Sequence, residues 1–160
     1  MAKGITAIFA LSIAWVIAST ITPPIEAGVP PAAQVQAAAD PAVRYCLSAD
    51  AAAFRQALED GFAMWASSGL RFVEVSDGNC IAVSTVYDAS SPYIGWASVG
   101  PYWLTINTYY EPTAIGMAHE AGHLLGLNHY SYDGIMNDSG RYTPPSSADI
   151  AAVRRMWGMR

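Results

Sequence analysis

Charge is scarce in this chain. Only 13% of the residues are Asp, Glu, Lys or Arg, the formal net charge is −5, and lysine occurs once, at Lys3. Without a cluster of cations there is no basic patch to hold a phosphate backbone, which excludes nucleic acid as a partner. Cysteine is confined to Cys46 and Cys80, and the one long apolar run, residues 5–21, falls short of the roughly 20 residues a membrane-spanning helix needs. Histidine is scarcer still in its placement: there are three, and none precedes His119. No second Glu-x-x-His accompanies the first, so a di-iron helix bundle, which draws carboxylates and such motifs from partner helices, is excluded as well. No internal repeat is present.

All three histidines fall in one stretch, His119-Glu120-Ala121-Gly122-His123-Leu124-Leu125-Gly126-Leu127-Asn128-His129, which reads H-E-x-x-H-x-x-G-x-x-H. From average residue usage these five fixed letters arise by chance on the order of once in 100,000 chains of this size. His119 and His123 are four apart, so a helix places both imidazoles on one face. Glu120, beside the first histidine, is placed to take a proton from water held at the ion. A straight helix cannot return His129 to the same ion. Gly126 supplies the break, because glycine adopts the left-handed conformation that ends a helix. His119, His123 and His129 then make a three-histidine zinc set with the fourth tetrahedral position open, the mark of a catalytic rather than a structural ion.

Asp133-Gly134-Ile135-Met136 follows, with Met136 seven residues after His129. A long zinc motif with a downstream methionine turn resembles the metzincin metallopeptidases, and among them most closely the matrixins. The likeness extends over residues 42–158. Residues 45–75 resemble the matrixin opening of strand, helix and strand, and residues 147–158 the closing helix. The resemblance implies an α+β, zincin-like fold: a twisted, mostly parallel five-stranded sheet with two long helices, the zinc helix at the cleft and a C-terminal helix. It implies Met136 as a hydrophobic floor beneath the histidines. It also implies an edge strand over Ile94, Gly95, Trp96, Ala97 and Ser98 along which an extended peptide lies antiparallel, and a pocket wall running from Asn137 to Tyr142.

The chain departs from matrixins in several places. They hold a second, structural zinc through histidines ahead of the cleft, where this chain has none and Trp96 stands near one such position. One catalytic zinc and no structural zinc are therefore expected, with calcium left open. Tyr130 replaces the matrixin serine after the third histidine, and the His-Tyr-Ser run is also similar to the small bacterial snapalysins, whose third ligand is aspartate. Asp138 stands where astacins and serralysins place an extra tyrosine ligand.

Lys3, the apolar residues 5–18 and a small-residue exit before Pro23-Pro24 read as a secretory signal peptide over 1–27, cleaved between about 18 and 27. An uncleaved membrane anchor is the alternative. Residues 28–40, rich in Ala, Pro and Gln, read as a flexible spacer. They are too short for a prodomain and lack a cysteine for a cysteine switch. Residues 41–160 form the catalytic domain, expected to act as a secreted monomer. Cys46 and Cys80 suit a disulfide in an exported protein. In a matrixin-like sheet, however, they end one strand and begin its parallel neighbour, and several residues of offset could exceed the roughly 7 Å a bridge tolerates between α-carbons. Bridged and free cysteines both stay open.

Phe54, Leu58, Phe62 and Trp65 recur at helical spacing and mark a buried face, with Ser48 or Asp50 as cap. Gly61 costs that helix roughly 1 kcal/mol against alanine. Branched and aromatic residues mark strands over 43–47, 70–75, 81–87, 94–98 and 103–108. Pro112 is expected in the first turn of the zinc helix, and Ser146 with Asp149 as a capping box for the last helix. The combined expectation is a secreted zinc metalloendopeptidase acting on proteins or peptides, with Glu120 as general base. A zinc-bearing, non-catalytic binding or inhibitory module is one alternative, although such a module has no chemical need for Glu120. A zinc hydrolase of a non-protein amide is the other.

Overall fold

A computed structural model describes residues 41–130, 134–137 and 142–159. The expected leader and spacer, Asp133, Asp138 and the middle of the expected pocket wall, 138–141, lie outside these residues. Five strands are present: β1 Ala42–Leu47, β2 Arg71–Glu74, β3 Ile81–Val86, β4 Gly95–Ala97 and β5 Trp103–Asn107. They form one sheet in the order β2-β1-β3-β5-β4, parallel throughout except that β4 runs antiparallel to β5 at the edge. The mostly parallel five-stranded sheet is as expected.

Alternation sets which face is core. Val43 and Tyr45 of β1, Ile81 and Val83 of β3, and Leu104 and Ile106 of β5 are all buried, and the register brings Tyr45 beside Ile81 and Val83 beside Leu104. The helices pack on this face. Tyr45 meets Phe62 edge-on at 5.1 Å, and Phe62 stacks on Phe72 at 4.0 Å. The opposite face is more polar, as the Ser84–Thr105 hydroxyl contact at 3.1 Å illustrates.

Three helices accompany the sheet: α1 Arg55–Ala63, α2 Ala114–Leu124, which carries two of the motif histidines, and α3 Ser147–Met156 near the C-terminus, of 9, 11 and 10 residues. The chain enters α1 through a tighter 3₁₀ turn, Ala51–Phe54, whose Ala51 N–H donates to Ser48 Oγ. It leaves through a second such turn that ends at Gly69. The start of α2 differs from expectation. Thr113 is extended and its hydroxyl accepts the Gly116 N–H at 3.2 Å, so Pro112 precedes the helix instead of lying in its first turn. Ser146 and Asp149 do form the capping box of α3. Among the described residues no helix is long and apolar enough to cross a membrane.

Cys46 and Cys80 are bridged, with 5.7 Å between their α-carbons. The offset that argued against a bridge is small. Ile81, the first residue of β3, pairs with Tyr45, and Cys80 lies just outside the ladder, where the chain is free to close on Cys46.

The crossing of α1 and α2 explains Gly61. A β-carbon there would stand 2.7 Å from Ala114 O and 2.7 Å from Ala118 N, so the helices approach too closely for any side chain. Gly61→Ala gains about 1 kcal/mol of helix propensity but pushes two backbones apart, an overpacking cost of about 1–3 kcal/mol. The expected outcome is a net loss of stability of about 1 kcal/mol, read as a lower denaturant midpoint with unchanged slope. A raised midpoint would refute the close crossing.

Candidate metal centre

Helix α2 carries His119, Glu120 and His123, all buried. Its end is built by Gly126 at φ +100°. The Gly126 N–H donates to His123 O at 2.8 Å and the Leu127 N–H to Gly122 O at 3.0 Å, a Schellman closure that needs a residue tolerating positive φ. The chain then doubles back, and His129 Nε2 comes within 3.0 Å of both His119 Nε2 and His123 Nε2.

The second nitrogens show what this cluster lacks. His119 Nδ1 lies 2.6 Å from Ile135 O, and His123 Nδ1 lies 2.9 Å from Leu127 O. A carbonyl only accepts, so both Nδ1 atoms carry the proton and both Nε2 atoms present bare lone pairs to one point. Two bare lone pairs with a third imidazole nitrogen 3.0 Å from each make a donor set suited to a cation. Tetrahedral zinc, with Zn–N bonds of about 2.0–2.1 Å, sets its nitrogens about 3.4 Å apart, within a few tenths of the spacing here. Among the described residues this is the one group of His, Cys, Asp or Glu side chains able to hold a metal ion.

Burial sets the proton affinities. It lowers His119 to about 4 and lowers His123 as well, which keeps both imidazoles neutral, as ligands must be. Burial also raises the Glu120 carboxyl to about 7. A dication nearby would favour the ionised carboxylate and oppose that rise.

Met136 is fully buried beneath α2. A β-carbon on Gly122 would collide with Met136 Sδ and sit 3.0 Å from the Trp65 ring, so one variable letter of the motif is fixed by the methionine turn. Trp65 in turn donates its indole N–H to Ala118 O at 2.9 Å. The turn therefore supports the site twice, by the Met136 side chain under Gly122 and by the Ile135 carbonyl on His119.

The histidines and Glu120 lie at the bottom of a cleft of about 770 Å³. Ile94, Gly95, Trp96 and Ala97 form one wall, while Asn137 and Tyr142 line it too. The Tyr142 ring lies over the His119 ring, centroids 4.4 Å apart. Most of the residues singled out in the sequence thus come together. Ser98 does not line the cleft: β4 ends at Ala97, and the Ser98 hydroxyl is spent inside the following turn, where it accepts the Tyr102 and Trp103 N–H groups and donates to Gly100 O.

Three contributors were not apparent in the sequence. Trp103 borders the cleft from β5. Tyr130 donates its hydroxyl to the buried Asp149 carboxylate, fastening the loop after His129 to α3. Buried Asn107 organises the short loop 88–93, donating to Asp88 O and Tyr93 O at 2.9 Å each and accepting the Asp88 N–H at 3.0 Å. The Asn is one residue of a strand pattern, and nothing in the letters marks its reach across the loop.

No protein-family profile matches the sequence, and no curated protein does. Solved structures do. HCE-1, a hatching enzyme zinc-protease from Oryzias latipes, superposes with a TM-score of 0.55 at 15% identity, covering 74% of this chain and 90% of that one. A chain of the GM1-bound ECX AB5 holotoxin gives 0.54 at 18% identity, covering 72% and 80%. Archaemetzincin from Methanopyrus kandleri gives 0.51 at 11% identity, covering 72% and 96%. At these identities the likeness is one of fold, and the chain has the fold of a zinc protease and of an archaemetzincin.

Proposed function

We propose that this chain is a zinc-dependent metalloendopeptidase of the metzincin type, nearest to the matrixins, exported after loss of its leader and active as a monomer on extended protein substrates. The observation that carries the reading is the convergence of three histidine Nε2 atoms, those of His119 and His123 free of protons, beside a buried carboxylate lining an open cleft. His119, His123 and His129 would hold one Zn²⁺, which supplies Lewis acidity for a carbonyl and for water. Glu120 is the general base: its carboxylate takes the proton of the attacking water and passes it to the leaving amine. Met136 is the floor under the ligands, and Asn137 with Tyr142 forms part of a substrate pocket wall.

Substrate alignment follows from the ladder. Ile94 O accepts the Asn107 N–H, and the Ser98 N–H reaches Trp103 O. With alternation in an antiparallel pair, Ile94, Trp96 and Ser98 spend their polar groups on β5, while Gly95 and Ala97 turn theirs outward. A peptide strand laid antiparallel to β4 pairs with those two residues whatever its sequence.

The test is metal dependence. Protein purified without added metal should carry one zinc per chain by elemental analysis. It should cut a denatured protein, lose that activity to a chelator, and regain it on zinc addition. Hydrolysis indifferent to chelation overturns the reading, and two firmly held zinc ions per chain overturn the single-ion site.

A further inference from the structure

Two indoles stand beside the cleft on the sheet face turned away from α2. A β-carbon on Gly95 would lie 3.7 Å from Glu120 Cγ, so Gly95 faces α2, and alternation sends Trp96 to the other side. In β5, fully buried Leu104 and Ile106 alternate with Trp103 and Thr105, which face the same side as Trp96 through the Trp96–Thr105 pairing. Trp103 is 46% exposed. Both residues nonetheless border the cleft.

The backbone that carries Trp103 is fixed before anything binds. The Ser98 hydroxyl accepts from Trp103 N at 3.1 Å and from Tyr102 N at 3.2 Å, and donates to Gly100 O at 2.6 Å. The Gly100 N–H donates to His123 O at 2.8 Å, tying this turn to the last turn of the zinc helix. The backbone that carries this large, half-exposed apolar side chain therefore needs no ordering when a substrate binds.

We propose that Trp103, with Trp96 beside it, selects substrates bearing an aromatic or large apolar side chain on the N-terminal side of the cut bond. The inference rests on the peptidase reading above. A peptide antiparallel to β4 runs past Ser98 before it reaches Gly95, where Glu120 lies. Its residues opposite Ser98 and Trp96 turn their side chains to the outer face, and small Ser98 leaves the Trp103 indole within reach. Apart from Glu120, no carboxylate, lysine or arginine lines the cleft among the described residues. An aromatic pair of this kind contributes roughly two- to tenfold in affinity.

The test measures binding separately from cutting. A blocked glycine–alanine peptide carries Phe, or Glu, at each position in turn, and its Kd is measured for zinc-loaded Glu120→Gln protein. The wild-type protein maps the cut bond in the same peptides. Expected is a Phe-over-Glu preference of about tenfold at alternate positions N-terminal to the cut, falling towards one in a Trp103→Ala background and retained in Trp103→Phe. Unchanged thermal melting of both tryptophan variants shows that the fold is intact. A ratio of one at every position, or a full ratio kept by Trp103→Ala, overturns the selection while leaving the peptidase reading in place. Alternate-position preference lost in Trp103→Ala, with no cutting by the wild-type protein, upholds the selection and overturns the peptidase.

Discussion

Zinc-loaded Glu120→Gln protein is expected to hydrolyse a denatured protein substrate about 10²- to 10⁴-fold more slowly than the wild type, the usual cost of removing one general base. Its zinc content is expected to match that of the wild type, because Glu120 is not among the three converging side chains. The substitution is isosteric and keeps a polar group at a buried position. It also suits the surroundings, since burial disfavours the charge of the carboxylate and raises it to about 7. In the metal-free protein the sign can be followed directly. The folded-state value lies above the ordinary 4.5, so the folded state binds more protons and loses stability as pH rises from about 4.5 to 7. Glutamine removes that loss, and metal-free Glu120→Gln protein is expected to unfold at a higher denaturant midpoint than the metal-free wild type above pH 7. A slow variant that is also less stable would point to structural damage. A zinc-loaded variant as fast as the wild type refutes the general base.

What the sequence made legible here is short-range. Four residues separate His119 from His123, and helical period alone places both on one face. Gly126 announces the turn that returns His129, and the Schellman bonds at that glycine are the ones such a residue permits. Contacts between distant segments were hidden. Gly122 reads as a variable letter until Met136 is seen against it. Gly61 reads as a propensity cost until α2 is seen at its α-carbon. The disulfide depended on a register offset of one or two residues between β1 and β3, below what letter patterns resolve. Ser98 continues the edge pairing through its N–H to Trp103 O, and nothing in the letters shows that its hydroxyl is spent in the turn that follows. Trp103 alternates correctly as a strand residue, but alternation does not say that the outward face of this strand reaches the cleft.

His123→Ala separates ligand loss from base loss, because it removes the ion rather than the proton acceptor. Alanine favours the helix more than histidine does, so α2 itself is not weakened. What disappears is one of three Nε2 donors, together with the Nδ1–H that Leu127 O accepts. Losing a group that merely orients a ligand costs about 10- to 100-fold in metal affinity, and losing the ligand itself costs at least the upper end of that range. The variant is therefore expected to retain well under one zinc per chain after dialysis against a weak chelator that leaves the wild type loaded. Its hydrolysis falls to background, and excess zinc restores it only in part. Circular dichroism and a cooperative melt show whether the fold persists, and the buried core beneath α2, with Met117, Leu124 and Met136, is untouched by the change. A folded His123→Ala protein that still carries a full, tightly held zinc would remove His123 from the ligand set and, with it, the three-histidine site.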